Sequence, residues 1–148
     1  MANRAASPPG VARPLARLRR ACRALPESFE TRTFGHPTFQ AGQGRTFAVL
    51  DDHERPGLLC LVVKLGAERQ ARLVDHQRFF PSKFGSQHGW TAMRVDARAD
   101  WRLARQLVVE SYRRVALRRM LAALDGPAHK ATAVRRGARL STARRPKG

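Results

Sequence analysis

Carboxylates are scarce in this chain. Eleven aspartates and glutamates stand against 29 lysines and arginines over 148 residues, for a formal net charge of +18. Every acidic residue lies between Glu27 and Asp125, so residues 1–25 and 126–148 carry positive charge alone. Ends of a single sign repel themselves and attract polyanions, as nucleic-acid arms do. The imbalance predicts DNA or another polyanion as partner and sits poorly with an ordinary soluble enzyme.

Cysteine is nearly absent. Cys22 and Cys60 are the two in the chain, too few for a disulfide scaffold, and they predict reduced thiols in a cytoplasmic protein. One falls on a helical stripe and the other in an apolar run, as small core residues do. No apolar run is long enough to cross a membrane, and no apolar stretch of the signal-peptide kind follows the start. The five histidines, His36, His53, His76, His88 and His129, show no metal-ligand spacing with the cysteines. Neither metal nor other cofactor is expected. The chain also lacks G-x-S-x-G, H-E-x-x-H and the phosphate-binding G-x-x-x-x-G-K-[ST]. No catalytic set is therefore assigned; Asp51-Asp52-His53 reads as an exposed loop beside Pro56. There is no internal repeat, and a monomer is the expected state.

What is present is the patterning of one α+β domain. Hydrophobic residues make up 43% of the chain, enough for a core in a domain of this size. Residues 1–10, with Ser7-Pro8-Pro9-Gly10, read as a flexible lead. Val11, Leu15, Leu18, Cys22 and Leu25 recur at helical spacing, with Arg13, Arg17 and Arg20 on the opposite side. Pro26 ends that helix. Residues 28–50 read as strands, with a turn at Phe34-Gly35-His36-Pro37 and a hairpin loop at Gly42-Gln43-Gly44. Asp51–Gly57 reads as a loop, and the apolar run Leu58–Leu65 as a central strand. Gly66 opens a short helix with Ala67, Ala71 and Val74 on one side. Gly89–Val95 is the next strand, and Asp100 caps a long helix lined by Ala104, Leu107, Val108, Ser111, Tyr112 and Val115. The predicted fold is a two-layer sandwich over residues 11–125, an antiparallel sheet with helices on one face. Residues 126–148 lose all periodicity and read as a disordered basic tail.

Several pieces in order resemble the MmcQ/YjbR family of small double-wing proteins. They are Leu25-Pro26-Glu27, Phe34-Gly35-His36-Pro37-Thr38-Phe39, Phe79-Phe80-Pro81, Gly85 to Gly89-Trp90, and Glu110-Ser111-Tyr112. The resemblance covers roughly residues 12–125 and implies a fold similar to CyaY and frataxin, with DNA binding as the implied function. Frataxin-like proteins hold iron on acidic side chains of the first helix and strand. Residues 11–25 here offer arginines and no carboxylate, and a hard cation needs oxygen ligands. Iron binding is therefore not expected.

Strand alternation gives candidate binding residues. Leu59, Leu61, Val63 and Leu65 share one side of their strand and should meet the helices; Leu58, Cys60, Val62 and Lys64 share the other. If Met93 and Val95 enter the core, Trp90 and Arg94 join Lys64 on an open, basic and aromatic sheet face that could stack bases and hold phosphates. Lys83 and His88, among glycines, form a second candidate, a loop whose amides could meet an anion. In the tail, Arg135, Arg136, Arg139, Arg144 and Arg145, with Lys130 and Lys147, would supply sequence-independent phosphate contacts.

Overall fold

The computed structural model describes residues 10–126. The predicted lead, apart from Gly10, and the tail beyond Gly126 with its arginines lie outside them.

The first apolar stripe forms α1, Ala12–Arg23, with Leu15, Leu18 and Cys22 buried. At its C-terminal end the Cys22 carbonyl accepts from the Leu25 amide at 2.9 Å and from the Ser28 hydroxyl at 2.6 Å, so this last-turn carbonyl is satisfied. Four strands follow as an antiparallel meander: β1 Ser28–Thr33, β2 His36–Ala41, β3 Arg45–Arg55 and β4 Leu58–Lys64. The Gly42-Gln43-Gly44 loop joins β2 to β3 as predicted, with Ala41 opposite Arg45. The turn before β2 is shorter than predicted. Thr33 pairs with His36, leaving Phe34 and Gly35 as a two-residue turn with φ of +50° and +83°, the mirror-type hairpin turn whose twist matches the strands.

Asp51–Gly57 corrects the sequence reading most. Its charges suggested a loop, but β3 continues to Arg55 through an irregularity between Asp51 and Arg55, and only Pro56-Gly57 turn. Polar residues occupy a strand here because that stretch leaves the helix-covered part of the sheet. The chain then forms α2 Ala67–Leu73, edge strand β5 Phe79–Pro81, and β6 Trp90–Arg94, which inserts between β4 and β5. The sheet order is β1-β2-β3-β4-β6-β5, antiparallel throughout. It holds more strands than were read from the sequence. Two helices close the chain, α3 Trp101–Val115 and α4 Arg118–Leu124. The Asp100 carboxylate caps α3 by accepting from the Arg102 and Leu103 amides, both at 3.1 Å.

The main core lies between the sheet and α1, α3 and α4. Leu18, Phe47, Leu61, Val63, Leu107 and Tyr112 meet there; a buried side chain of this size contributes about 1.5–3 kcal/mol. A bulge between β2 and β3 turns both Phe47 and Ala48 inward. The Ser111 hydroxyl bridges α3 to the sheet, donating to the Phe47 carbonyl at 2.6 Å and accepting from the Lys64 amide at 2.9 Å. It thus completes the end of the β3–β4 ladder. Tyr112 donates its hydroxyl to the Pro26 carbonyl at 2.7 Å. The apolar side expected for α2 is not buried. This helix is attached by polar contacts: Arg69 forms a two-pronged pair with Glu110, and Gln70 donates to the Trp90 carbonyl.

The faces of β4 divide as predicted, with Leu61, Val63 and Leu65 in the main core. The opposite side is not bare. Val49, Cys60, Val62, Phe80, Trp90 and Ala92 form a second, smaller cluster. Phe79 and Phe80 therefore serve opposite faces of the sheet.

Candidate functional site

Between that second cluster and the β1–β2 turn, the helix-free face opens into a cleft of about 440 Å³. Val49 and Val62 line its apolar part; Phe34 borders it from the turn, and Lys83 and Phe84 from the loop before β6. Phe34 is 89% exposed and Phe84 51%. Phe34 also holds a left-handed conformation, φ +50°, which glycine or asparagine would adopt with less strain. The chain thus spends backbone strain on an exposed ring, a combination that clusters at binding sites.

One rim of the cleft is ionisable. His36 and His53, on neighbouring strands, place Nε2 and Nδ1 3.2 Å apart. Asp51 lies behind them, with its carboxyl pushed above the ordinary range by burial and by the nearby Glu54 charge. Glu54 is 5% exposed. Its carboxylate accepts from the Ser82 hydroxyl at 2.6 Å and the Lys83 amide at 2.9 Å, so it ties the loop carrying Phe84 to β3. Glu54→Ala leaves two donors without their acceptor, at about 1–3 kcal/mol for each that stays buried. The expected result is faster hydrogen exchange at the Lys83 amide and a lowered melting point. Unchanged exchange at Lys83 would mean that Glu54 does not hold the loop.

The residues chosen from the sequence are dispersed. Lys64 and Trp90 are paired across β4 and β6, and Arg94 is opposite Cys60, so all three share a face as predicted. Trp90 and Arg94 are nevertheless four residues apart, about 13 Å along a strand. The Trp90 ring is not laid open; it is 9% exposed and meets the edge of Phe84 with centroids 5.2 Å apart. Phe84 shields it, and the exposed aromatics are Phe84 and Phe34 instead. Arg94 contacts Asp96 at 3.3 Å, and Lys64 is half-buried.

The amide cradle expected around Lys83 and His88 is largely occupied by the protein itself. Lys83 donates to Glu54, Phe84 to Ser82, His88 and Trp90 to the Gly85 carbonyl, and Gly89 to Ser86. The loop also turns toward a carboxylate, the wrong sign for an anion site.

The helix layer presents a different surface. Arg13, Arg17 and Arg20 on α1, and Arg102 and Arg105 on α3, are exposed. No ion pair involves any of these five among the described residues, whereas Arg19, Arg113 and Arg119 are held by Glu30, Asp125 and Glu27. Arg17 lies over the Trp101 ring, 5.8 Å from its centroid, which joins the start of α3 to α1. α1 contains no acidic residue, and Glu110, the one acid of α3, is engaged by Arg69. Asp96 and Asp100 line the same pocket as Arg13 and Arg17, but neither forms an ion pair with the five arginines among the described residues.

The YjbR family model matches residues 23–114. The chain belongs to the YjbR family. Its fold is shared with the crystal structure of a Deinococcus radiodurans protein carrying the DUF419 domain, at a TM-score of 0.62 and 26% identity over 76% of this chain and 88% of that one. No curated protein matches this sequence. The YjbR match takes in the whole cleft and runs from β1 nearly to the end of α3, but it stops short of Arg13, Arg17 and Arg20. Part of the basic helix surface and the entire tail are thus outside the YjbR region. Among the described residues, no helix is long and apolar enough to cross a membrane.

Sequence reasoning missed Glu54, the His36–His53 pair and the exposure of Phe34 and Phe84. Reading Asp51–Gly57 as a loop hid the first two.

Proposed function

We propose that this YjbR-family protein is a non-enzymatic, cytoplasmic DNA-binding protein whose contacts are made to the phosphate backbone. The observation that carries the reading is the set of exposed α1 and α3 arginines with no carboxylate partner among the described residues. The basic tail, with Arg135, Arg136, Arg139, Arg144 and Arg145, adds further charge of the same sign. Lys83, Lys64 and Arg94 are secondary in this reading, because the first stands beside a buried carboxylate and the others are half-buried. Trp90 supports the loop rather than stacking a base.

Backbone contacts give affinity with little sequence preference, and each neutralised duplex phosphate contributes about −0.9 to the slope of log K against log salt. Removing residues 127–148 should flatten that slope by several units and weaken binding equally on unrelated duplexes. Equal slopes for truncated and full-length protein would remove the tail from the account.

A second reading is an adaptor that binds a small molecule or a peptide in the cleft. The strained, exposed Phe34 beside Phe84 favours it. Absence of duplex binding at low salt, with ligand-dependent shifts confined to Phe34 and Phe84, would put it first.

A further inference from the structure

Phosphate binding by the helix layer gives no role to the histidines on the opposite face. His36 begins β2 and His53 lies near the end of β3. The β2–β3 register pairs Thr38 with Val49, and continuing it by two residues brings His36 across from Asp51, beside His53. Their rings meet edge to face, with centroids 4.3 Å apart and planes at 88°. His36 Nε2 and His53 Nδ1 are separated by 3.2 Å. Two imidazole nitrogens on one tetrahedral zinc, each about 2.0–2.1 Å from the ion, lie about 3.3 Å from one another. Asp52 supplies a third donor: one ligand atom from each of His36, Asp52 and His53 lies within 4.8 Å of the other two. The Asp52 side chain is exposed, so rotation about its own bonds brings the oxygen closer.

The surroundings hold this set in place. The Asp51 carboxylate accepts from the His53 amide at 3.3 Å, fixing the backbone that carries two of the three donors. No arginine or lysine forms an ion pair with Asp52 among the described residues; its one close charged partner is His53, met at Nε2 and 3.8 Å, so the exposed Asp52 side chain must swing to the Nδ1 edge to share an ion with His36. A competing thiol site is ruled out by position, since Cys22 and Cys60 are buried on opposite sides of the sheet.

We propose that His36, His53 and Asp52 bind one divalent transition-metal ion of the zinc class at the rim of the cleft. Two imidazoles and a carboxylate suit Zn²⁺, Ni²⁺ or Cu²⁺, whereas an all-oxygen set would select Mg²⁺ or Ca²⁺. Three protein donors leave a coordination position for water. Because His36 and His53 both line the cleft, that position adjoins its apolar part. The site is independent of whether the helix layer binds DNA.

The test is calorimetric titration of the tag-free full chain with Zn²⁺, alongside His36→Ala, His53→Ala and the controls His76→Ala, His88→Ala and His129→Ala. One saturable equivalent is expected. Each cleft substitution should weaken it by more than the roughly tenfold that losing even an outer-sphere partner costs. The three controls should bind as the parent does. His53 is exposed and His36 half-buried, so the melting temperature of metal-free His53→Ala should match the parent and that of His36→Ala should fall little. No saturable binding at millimolar Zn²⁺ would overturn the proposal. So would one-equivalent binding that survives the double substitution of His36 and His53, or losses that merely track a lowered melting point.

Discussion

Gly89→Ala is expected to lower the melting temperature by roughly 15–20 °C, the middle of the range that strain and crowding together allow. Gly89 sits at φ +82° just before β6, and a Cβ there would run into the backbone of Gly66. The two segments touch because the Leu65 amide donates to the Gly89 carbonyl at 2.9 Å, closing the end of the β4–β6 ladder. Left-handed strain in a non-glycine residue costs about 1–3 kcal/mol, and forcing atoms into a filled space about 1–3 more. In a domain of this size each kcal/mol moves the midpoint by about 3–6 °C. Gly35 provides the comparison. It has φ +83°, but a Cβ there meets nothing within 4 Å. Gly35→Ala should therefore carry the strain alone and lose far less. Thermal melts of the two variants decide the matter, and equal losses would show that β4 and β6 do not approach so closely at this point.

Neutralising Arg13, Arg20, Arg102 and Arg105 together, each to glutamine, should reduce duplex affinity by about three to four orders of magnitude at 0.1 M salt relative to the 1 M reference. The estimate follows from four phosphate contacts, each worth about 0.9 in log K for each tenfold change in salt. All four side chains are exposed, and none is in an ion pair among the described residues, so stability should hold. Arg17 is left in place because it lies over Trp101. Lys83→Gln, on the cleft face, should change affinity by at most one contact. If Lys83→Gln costs more than the fourfold helix variant, the nucleic-acid surface is the Lys83 loop, the second candidate read from the sequence.

Elements governed by local rules were legible in advance. The stripe through Leu15, Leu18 and Cys22, the Asp100 cap, the Gly42–Gly44 hairpin and the two faces of β4 follow from periodicity and turn chemistry. Elements settled by tertiary context were not. Asp51–Arg55 is polar, yet it is a strand because β4 pairs with it at Cys60 and Leu58. With that stretch read as a loop, the neighbourhood of His36 and His53 could not be found; the hairpin register at Ala41 and Arg45 would set His36 against Leu50, and the bulge between Phe39 and Gln40 that moves it to Asp51 leaves no periodic signal. Edge strand β5 is three residues long, too short for a period to register. Trp90 was placed on the correct face, but alternation alone says nothing about what covers a face. The shield is Phe84, brought over by a loop fixed through Glu54, and that carboxylate gives no sequence signal beyond its own charge. The helix arginines were visible as the polar side of a stripe. That they form no ion pair among the described residues depends on where Glu27, Glu30, Glu110 and Asp125 come to rest.

The most direct test of the central claim is the salt dependence of duplex binding, measured on two unrelated sequences for the full chain and for the fourfold variant of Arg13, Arg20, Arg102 and Arg105. The account predicts a steep slope for the full chain, the same on both duplexes, and a slope flatter by about three to four units for the variant. Coincident slopes for the two proteins, or no binding by the full chain at low salt, would contradict it.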